Sequence, residues 1–504
     1  MMADAHQEDR RGETVLLAAL FGAALLIRLW PFLAIRQSWE DAYFYIELAR
    51  SLSGGRWELL GQFHTKYMPG YPMAITAAHT VLFGLAGWFK SAQFVSLISS
   101  SLCAPLAYIV GREAGRSRTA GLAAGTIAVF SAHLFVNGGI PFSEALFSCQ
   151  VMAVLVLVFR YPVLAGLIAG WAAVTRHEGW FLALPFVVSF FSGERKGRVA
   201  AGLVIMLVLV SWWWLLCRLQ TGAWLYEVYT RESAERAPEM GRPGLNFVYL
   251  SLPVAGHLVT ALSLVGIPRA LKNRTGIALL SFAVPYLLLH MWWMFPVNRY
   301  FVPLVAPMCV LAGVGVFKLG SWTGRATGAN TLRTAILLAL IAGITHFAGF
   351  GPGLVKEEKN RTLGYRLAAE FTGKIKKPVG VLAYDVFLVN LHDGTHPVFP
   401  TGPYTEKELI SLLFAFYLEQ EARLIIWSDL YPADRQKSAF SSGKPFSISG
   451  ESPGRSIVMD ISPMRHYEWT YYYPEPGYLR PWYSLKGVKK KALVFGLSVT
   501  ELNR

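Results

Sequence analysis

Two adjacent carboxylates, Glu40 and Asp41, sit in the run Ser38-Trp39-Glu40-Asp41-Ala42-Tyr43-Phe44-Tyr45. A carboxylate can serve as a general base and take the proton from an acceptor hydroxyl. The same acids also suit a helix N-terminus, because Ser38 to Asp41 has capping-box spacing and acids complement the helix dipole. The residues alone leave both readings open. Arg176 and Glu178 interrupt an apolar stretch in Thr175-Arg176-His177-Glu178-Gly179, and Arg299 and Tyr300 follow an apolar run. A guanidinium can grip a phosphate by two parallel hydrogen bonds. Arg176, oriented by Glu178, and Arg299 are therefore candidates for an anion site. The plainer alternative for Arg176 and Glu178 is an internal ion pair that fixes the chain. Lys66, in His64-Thr65-Lys66-Tyr67-Met68-Pro69-Gly70-Tyr71-Pro72, can reach a phosphate or snorkel to lipid headgroups. His64 alone says little. Glu144 opens an apolar run, where the helix dipole by itself would favour it.

These residues are carried by a chain of 504 residues that is 54% hydrophobic and 16% charged, against about 25% charged in a soluble domain. The apolar residues fall in runs such as 14–35 and 199–217, long enough to cross a hydrocarbon core of roughly 30 Å. Lipid offers the backbone no hydrogen bonds, so these runs must be helices. The chain reads as a polytopic integral membrane protein. Its net charge of +15 fits cytoplasmic loops rich in Lys and Arg. No basic stripe marks a soluble face, so no nucleic-acid partner is expected. Cys103, Cys149, Cys217 and Cys309 lie in or beside apolar runs and read as small core residues rather than a zinc site or disulfide framework. The first apolar run follows Arg10 and Arg11. It is too long for a signal-peptide core and lacks a small-residue cleavage site, so it reads as a retained anchor.

Basic clusters set the topology. They occur at Arg112/Arg116/Arg118, Arg195/Lys196/Arg198, Arg269/Lys272/Arg274 and Lys318/Arg325/Arg333, and by the positive-inside rule they face the cytoplasm with the N-terminus. An even number of crossings must separate Arg11 from Arg112. Of the apolar segments 14–35, 72–88 and 91–111, the weakest is 72–88, with His79, Gly84 and Gly87. It is assigned to the outer interface, which makes 36–90 a large outer loop holding a helix over 40–53. Further spans are expected at 119–136, 145–160, 199–217, 246–268, 276–294, 301–320 and 334–350. The interval 161–193 is too short for two full crossings and predicts two short helices, 162–174 and 179–192, with Thr175–Gly179 at their outer junction. The total is about 11 transmembrane helices. Residues 1–354 form this membrane domain, and 355–504 form a soluble α/β domain on the outer side. In the latter, strands are expected at 379–384, 423–427, 456–462 and 492–498, with a helix at 405–419 opened by a Thr405/Glu408 capping box. It has no Gly-rich phosphate fingerprint and so no nucleotide site.

Five segments together carry a family resemblance. Glu-Asp-Ala-Tyr-Phe-Tyr-Ile-Glu-Leu-Ala-Arg (40–50) followed by Met-Pro-Gly-Tyr-Pro-Met (68–73) resembles the first outer loop of the GT-C membrane glycosyltransferases. The similarity is greatest to the dolichyl-phosphate-mannose–protein mannosyltransferases and the lipid A aminoarabinose transferases. Pro-Phe-Ser-Glu-Ala-Leu-Phe (141–147), Thr-Arg-His-Glu-Gly (175–179) and Asn-Arg-Tyr-Phe-Val-Pro-Leu (298–304) resemble later motifs in the same order. The resemblance covers roughly residues 14–320. It departs in that Glu40 then Asp41 replaces Asp followed by an acid, in that Lys-Tyr-Met-Pro (66–69) replaces Lys-Pro-Pro, and in that Ser211-Trp212-Trp213-Trp214 does not match the Trp-Trp-Asp-Tyr-Gly of oligosaccharyltransferases.

The resemblance implies a glycosyltransferase that moves a sugar, with inversion, from a polyprenyl-phosphate donor to an acceptor hydroxyl on a glycan, lipid or protein. It implies Glu40 or Asp41 as the base, and it puts Arg299 near the donor phosphate, with Arg176 and Lys66 as further phosphate ligands. Tyr43, His64, Glu144, Glu178 and Tyr300 are the further candidates to line the substrate. No cofactor is required, although the acidic pair could hold a divalent metal. The expected location is a bacterial inner membrane. The rival expectation is a transporter or flippase for a polyprenyl-linked glycan, since intramembrane charges suit it equally. That rival predicts an internal repeat, and none is evident in the sequence. The topology makes a direct prediction: a reporter active only outside the cytoplasm should be active when fused after Arg504 and inactive when fused at Gly197. The reverse pattern would overturn the assignment of faces.

Overall fold

The computed structural model describes residues 2–36, 38, 40–55, 68–82, 84–193, 195–222, 254–292, 298–328, 330–361, 367, 371, 379–383, 398–400, 424–428, 444–452, 455–474 and 485–502. His64, Lys66, the side chain of Glu40 and the expected helix 405–419 lie outside this description. The described residues divide into two compact units. The first comprises residues 2–36 and 45–355, the second residues 38–44 and those from 356 onward.

The first unit is helical. Its elements begin with α1 (Met2–Ala34), α2 (Glu40–Ser53, of which residues 45–53 belong to this unit), α3 (Gly70–Val81), α4 (Trp88–Gly115), α5 (Arg118–Val129), α6 (Ala132–Asn137) and α7 (Ser143–Leu157). They continue with α8 (Pro162–Ala173), a 3₁₀ turn at His177–Leu182, α9 (Ala183–Ser192), α10 (Lys196–Thr221), α11 (His257–Ala270) and α12 (Arg274–Trp292). A second 3₁₀ turn at Asn298–Phe301 leads into α13 (Val302–Thr327), and α14 follows at Thr331–Arg361, of which residues 331–355 belong to this unit. Among the described residues, five helices are long and apolar enough to cross a membrane: Arg11–Ala34, Trp88–Gly115, Lys196–Leu219, Arg299–Arg325 and Thr331–Asn360. Ser143–Leu157, Pro162–Ala173 and Arg274–His290 are apolar but shorter. The chain is an integral membrane protein. α13 is buried along most of its length, whereas α1 and α10 expose Leu26, Leu33, Val208 and Leu215 on their flanks. α3 has twelve residues, about 18 Å of helix, and cannot cross a core of roughly 30 Å.

The expected span 119–136 is corrected. It is two helices, α5 and α6, broken at Phe130 and Ser131. The break exposes backbone carbonyls that an apolar interior cannot satisfy. Arg28 of α1, fully buried, fills this role: Nη2 donates to Ala128 O at 2.9 Å, Nη1 to Val129 O at 3.4 Å and Nε to Leu134 O at 3.1 Å. A cation at the C-terminal end of α5 also opposes the helix dipole favourably.

Helices in the interior meet through small residues. A Cβ on Gly266 of α11 would strike the carbonyl oxygen of Leu311 on α13, and one on Gly315 would strike that of Leu262. Such contacts let two backbones approach closely where no water-driven force holds helices together.

The second unit contains a six-stranded sheet in the order β2-β1-β3-β6-β5-β4. Its strands are β1 (Val379–Ala383), β2 (Val398–Pro400), β3 (Leu424–Ser428), β4 (Phe446–Ser452), β5 (Arg455–Pro474) and β6 (Leu485–Leu502). β1 runs parallel to β2 and β3, and the remaining neighbours are antiparallel. The four expected strands are all present. β5 and β6 run well past the expected 456–462 and 492–498, because they pair with each other along nearly their whole lengths, with one bulge between Pro463 and Arg465. β2 and β4 were not expected: one has three residues, the other is largely polar, and neither shows an apolar run.

The Gly266 contact carries a prediction. Gly266→Val should force α11 and α13 apart and lower stability by about 1–3 kcal/mol, read as a lower melting temperature in detergent. Gly22→Val on α1, which meets nothing within 4 Å, should leave it within roughly 0.5 kcal/mol of the original. Equal melting of the two variants would contradict the close packing.

Candidate functional site

Five segments far apart in the sequence meet in the first unit. α7 opens with Ser143 and Glu144. The chain between α8 and the 3₁₀ turn supplies Arg176, extended at φ −147° and ψ 144°, with Glu178 two residues on. α12 ends near His290, and the second 3₁₀ turn presents Arg299 and Tyr300. The loop side contributes Tyr45 of α2 and Gly70 and Tyr71 of α3.

Arg176 is the hub. Its Nη1 donates to Glu144 Oε1 at 2.8 Å and its Nη2 to Glu178 Oε1 at 2.9 Å. Its side chain is 9% exposed and that of Glu144 3%, so both charges are held away from solvent. An isolated charge there would cost several kcal/mol. The guanidinium is therefore fixed by two carboxylates, each bond a charge-assisted one of about 1.5–3 kcal/mol. The plainer sequence reading of Arg176 and Glu178 as an ion pair is correct, and Glu144 enlarges it. His290 Nε2 lies 3.2 Å from Glu178 Oε1. Arg299 Nε lies 4.0 Å from Glu144 Oε1, at the limit of an ion pair, and its guanidinium sits over the rings of Phe142 and Tyr300, 5.3 Å from each. Arg176 faces the same Tyr300 ring at 5.4 Å. Tyr300 is thus flanked by two cations, and its carbonyl accepts from Tyr286 Oη at 2.7 Å. Arg176 Nε is buried and makes no hydrogen bond among the described residues, which leaves a donor for an anion.

The loop segment is attached to this hub. Gly70 N donates to Val174 O at 2.7 Å, and Trp171 Nε1 donates to Gly70 O at 3.1 Å. A Cβ at Gly70 would meet the Thr175 backbone nitrogen at 2.8 Å, so this approach needs glycine. Tyr71 Oη bonds Ala92 O at 3.1 Å and Ser96 Oγ at 2.9 Å, and its ring meets that of Tyr45 edge-on at 5.1 Å. Tyr45 Oη in turn lies 3.3 Å from Ser143 Oγ.

Of the residues singled out in the sequence, Arg176, Glu178, Glu144, Arg299 and Tyr300 come together. Glu40 and Asp41 form the first turn of α2 and belong, with Tyr43, to the second unit. Within that unit Ser38 Oγ donates to Glu358 Oε1 at 3.3 Å. Tyr43 is buried; burial raises its phenol above the usual tyrosine range, a backbone hydrogen bond with Ser38 opposes this, and Glu358 adds to it. His290 and Tyr286 escaped sequence reasoning. Their signal was a histidine and a tyrosine at i and i+4 inside an apolar run, a spacing that puts both on one helix face. Among the described residues, no group of three or more His, Cys, Asp or Glu could hold a metal ion.

No protein-family model matches the chain, and no curated protein matches it in sequence. Solved structures do match. ArnT from Cupriavidus metallidurans bound to undecaprenyl phosphate aligns over 83% of this chain and 93% of its own, at 17% identity and a TM-score of 0.60. Its apo form gives 16% identity and a TM-score of 0.59 over the same shares of both chains. The archaeal oligosaccharyltransferase AglB from Archaeoglobus fulgidus, in complex with an inhibitory peptide and a dolichol-phosphate, aligns over 82% of this chain and 70% of its own, at 12% identity and a TM-score of 0.53. All are GT-C glycosyltransferases, so the fold implied by the sequence motifs is the fold found.

The hub makes a stability prediction. Glu178→Ala removes one of two carboxylates from a buried guanidinium and should cost about 3–5 kcal/mol, measured as denaturant or thermal unfolding in detergent. Glu468→Ala, on an exposed strand position, should change stability by less than roughly 0.5 kcal/mol. A Glu178→Ala variant as stable as the parent would mean that the pair is not buried.

Proposed function

We propose that the protein is a membrane glycosyltransferase that takes a sugar from a polyprenyl-phosphate donor at the outer face of a bacterial inner membrane and transfers it, with inversion, to an acceptor hydroxyl. About 11 crossings, a cytoplasmic N-terminus and an outer C-terminal α/β domain belong to this reading. The observation that supports it best is the convergence of Arg176, Arg299 and Tyr300 at one end of the helices, in a fold shared with a protein solved with undecaprenyl phosphate. A lipid-borne donor also accounts for a chemistry-bearing site with no nucleotide-binding fingerprint beside it.

The residues divide the work. Glu40 or Asp41 accepts the proton of the acceptor hydroxyl. The acceptor oxygen bonds to the anomeric carbon as the bond from that carbon to the phosphate oxygen breaks. The electron pair leaves with the polyprenyl phosphate, which gains negative charge in the transition state. Arg299 is the main partner of that charge, its guanidinium set over the rings of Phe142 and Tyr300 beside the Arg176 hub. Arg176, already balanced by Glu144 and Glu178, supplies directed hydrogen bonds more than net charge. Fixed donors aimed at developing charge need no reorganisation during reaction. Lys66 is a further phosphate ligand, and Tyr43, His64 and Tyr300 line the substrate.

The test is sugar transfer from a purified polyprenyl-phosphate donor, with melting temperature recorded alongside. Arg299→Lys keeps the charge and loses the fork, so turnover should fall by about 10²–10³ with little change in melting. Replacing the base, by Glu40→Gln or Asp41→Asn, should cost about 10²–10⁴ in rate. Wild-type turnover in all three variants would overturn the assignment.

A further inference from the structure

The basic clusters that set the topology also build two cavities. α7, α12 and α13 carry the Arg176 hub at one end; at the other end stand Arg160, Arg274 and Arg325 respectively. α13 has 26 residues, about 39 Å of helix, so the two ends lie a full bilayer core apart. One cavity, of about 750 Å³, is lined by Arg116, Arg160, Lys272 and Arg274 together with Glu113. The other, of about 370 Å³, is lined by Arg116, Arg269, Lys272, Lys318 and Arg325. Arg116, Lys272 and Asn273 line both, so the cavities adjoin, and among the described residues seven cations face them against one carboxylate. Glu113 is taken by Arg160 and by Thr275 Oγ1 at 3.4 Å. Among the described residues the other six cations have no carboxylate within ion-pair distance.

Part of this charge has a local explanation. Cations are favourable at helix C-termini, and Arg269 donates from Nε and Nη2 to Gly115 O, the last carbonyl of α4, at 3.2 and 3.0 Å. The charge of Arg116 is favoured by the same helix end, but its backbone is not explained by it. Arg116 caps α4 in the left-handed region, at φ 49° and ψ 42°, and is the one non-glycine residue with positive φ among those described. Glycine is the residue that occupies this cap without a steric penalty. A guanidinium kept there, facing both cavities, is a strained position of the kind that clusters at ligand sites.

The surroundings fit a lipid better than a soluble anion. Leu271 and Ile277 line the larger cavity and are exposed, and Trp322, next to Ser321 at the smaller one, is exposed on the last turns of α13. An anion with acyl chains would put its phosphates among the cations and its chains along these side chains. Two adjoining cavities that share cations suit two phosphates joined by a short linker. We propose that this pair of cavities binds an anionic phospholipid with two phosphate groups, a diphosphatidylglycerol, at the basic face of the protein. Basic pockets between membrane helices on the cytoplasmic side take such headgroups.

The test uses the full-length protein in detergent. Native mass spectrometry titrates it with tetraoleoyl diphosphatidylglycerol, dioleoylphosphatidylglycerol or dioleoylphosphatidylcholine, and inorganic pyrophosphate is added as a soluble competitor. The two-phosphate lipid should bind most tightly. Arg116→Gly and Lys272→Gln should each weaken it about fivefold, and together about 25-fold, from roughly 1 kcal/mol per cation near a phosphate. Arg116→Gly relieves the backbone, so its melting temperature without lipid should stay level or rise. Lys272 is exposed, which keeps the second variant folded in any case. Unchanged lipid affinity in the double variant, or equal binding of phosphatidylcholine, would overturn the proposal. Displacement by pyrophosphate at the lipid's own affinity would assign the cavities to a soluble polyanion instead.

Discussion

A charge held away from solvent must be met by other charges or by directed dipoles, and Arg176 is where this constraint organises the molecule. Satisfying one guanidinium required a carboxylate from the start of α7 and another two residues along its own chain, with His290 beside the second. Those demands fix the end of α7, the junction after α8 and the end of α12 relative to one another. Arg299 and Tyr300 then enter an already ordered surrounding. Breaking any member leaves the others uncompensated, so the hub couples local helix geometry to the chemistry proposed for it.

The same rule acts away from the site with different partners. Arg28 meets backbone carbonyls instead of carboxylates, and by doing so it allows α5 and α6 to break inside the helical unit. Gly266 and Gly315 solve the complementary problem. Without a hydrophobic driving force between helices, close packing must come from small residues, and these two bring the backbones of α11 and α13 together. Buried cations and close glycine contacts are thus two answers to one solvent.

The helices also separate two kinds of positive charge. At one end the arginines are few, with Arg176 buried and paired and Arg299 half-buried over aromatic rings. At the other the cations are many and face open cavities, with Glu113 the one carboxylate among the described lining residues. The first arrangement favours directed hydrogen bonds to a single anion. The second favours accumulated attraction to a charged leaflet, which depends on number more than on geometry.

Much of this was legible in the sequence, because its signals are local. Apolar runs of span length declare membrane helices, and 161–193 was readable as two short helices since its length could not support two crossings, although the second helix begins at Ala183 after a 3₁₀ turn rather than at residue 179. Arg176, Glu178 and Arg299 were visible as candidates because each interrupts or borders an apolar run, whereas Glu144 at a helix start had a sufficient local reason in the helix dipole. Their mutual contacts were not visible. Glu144 and Arg176 are 32 residues apart, and no periodicity encodes which carboxylate a buried arginine will choose. The break at Phe130 was hidden for the same reason, since the group that makes it tolerable, Arg28, is 100 residues or more away from the carbonyls it satisfies. β2 and β4 were illegible because a short or polar strand carries no apolar pattern and exists only through its neighbour. Sequence determined that the chain carries apolar runs of membrane length and which side chains must be explained beside them. Tertiary structure decided how each buried charge was paired, because pairing is set by contacts between residues that only the fold brings within reach.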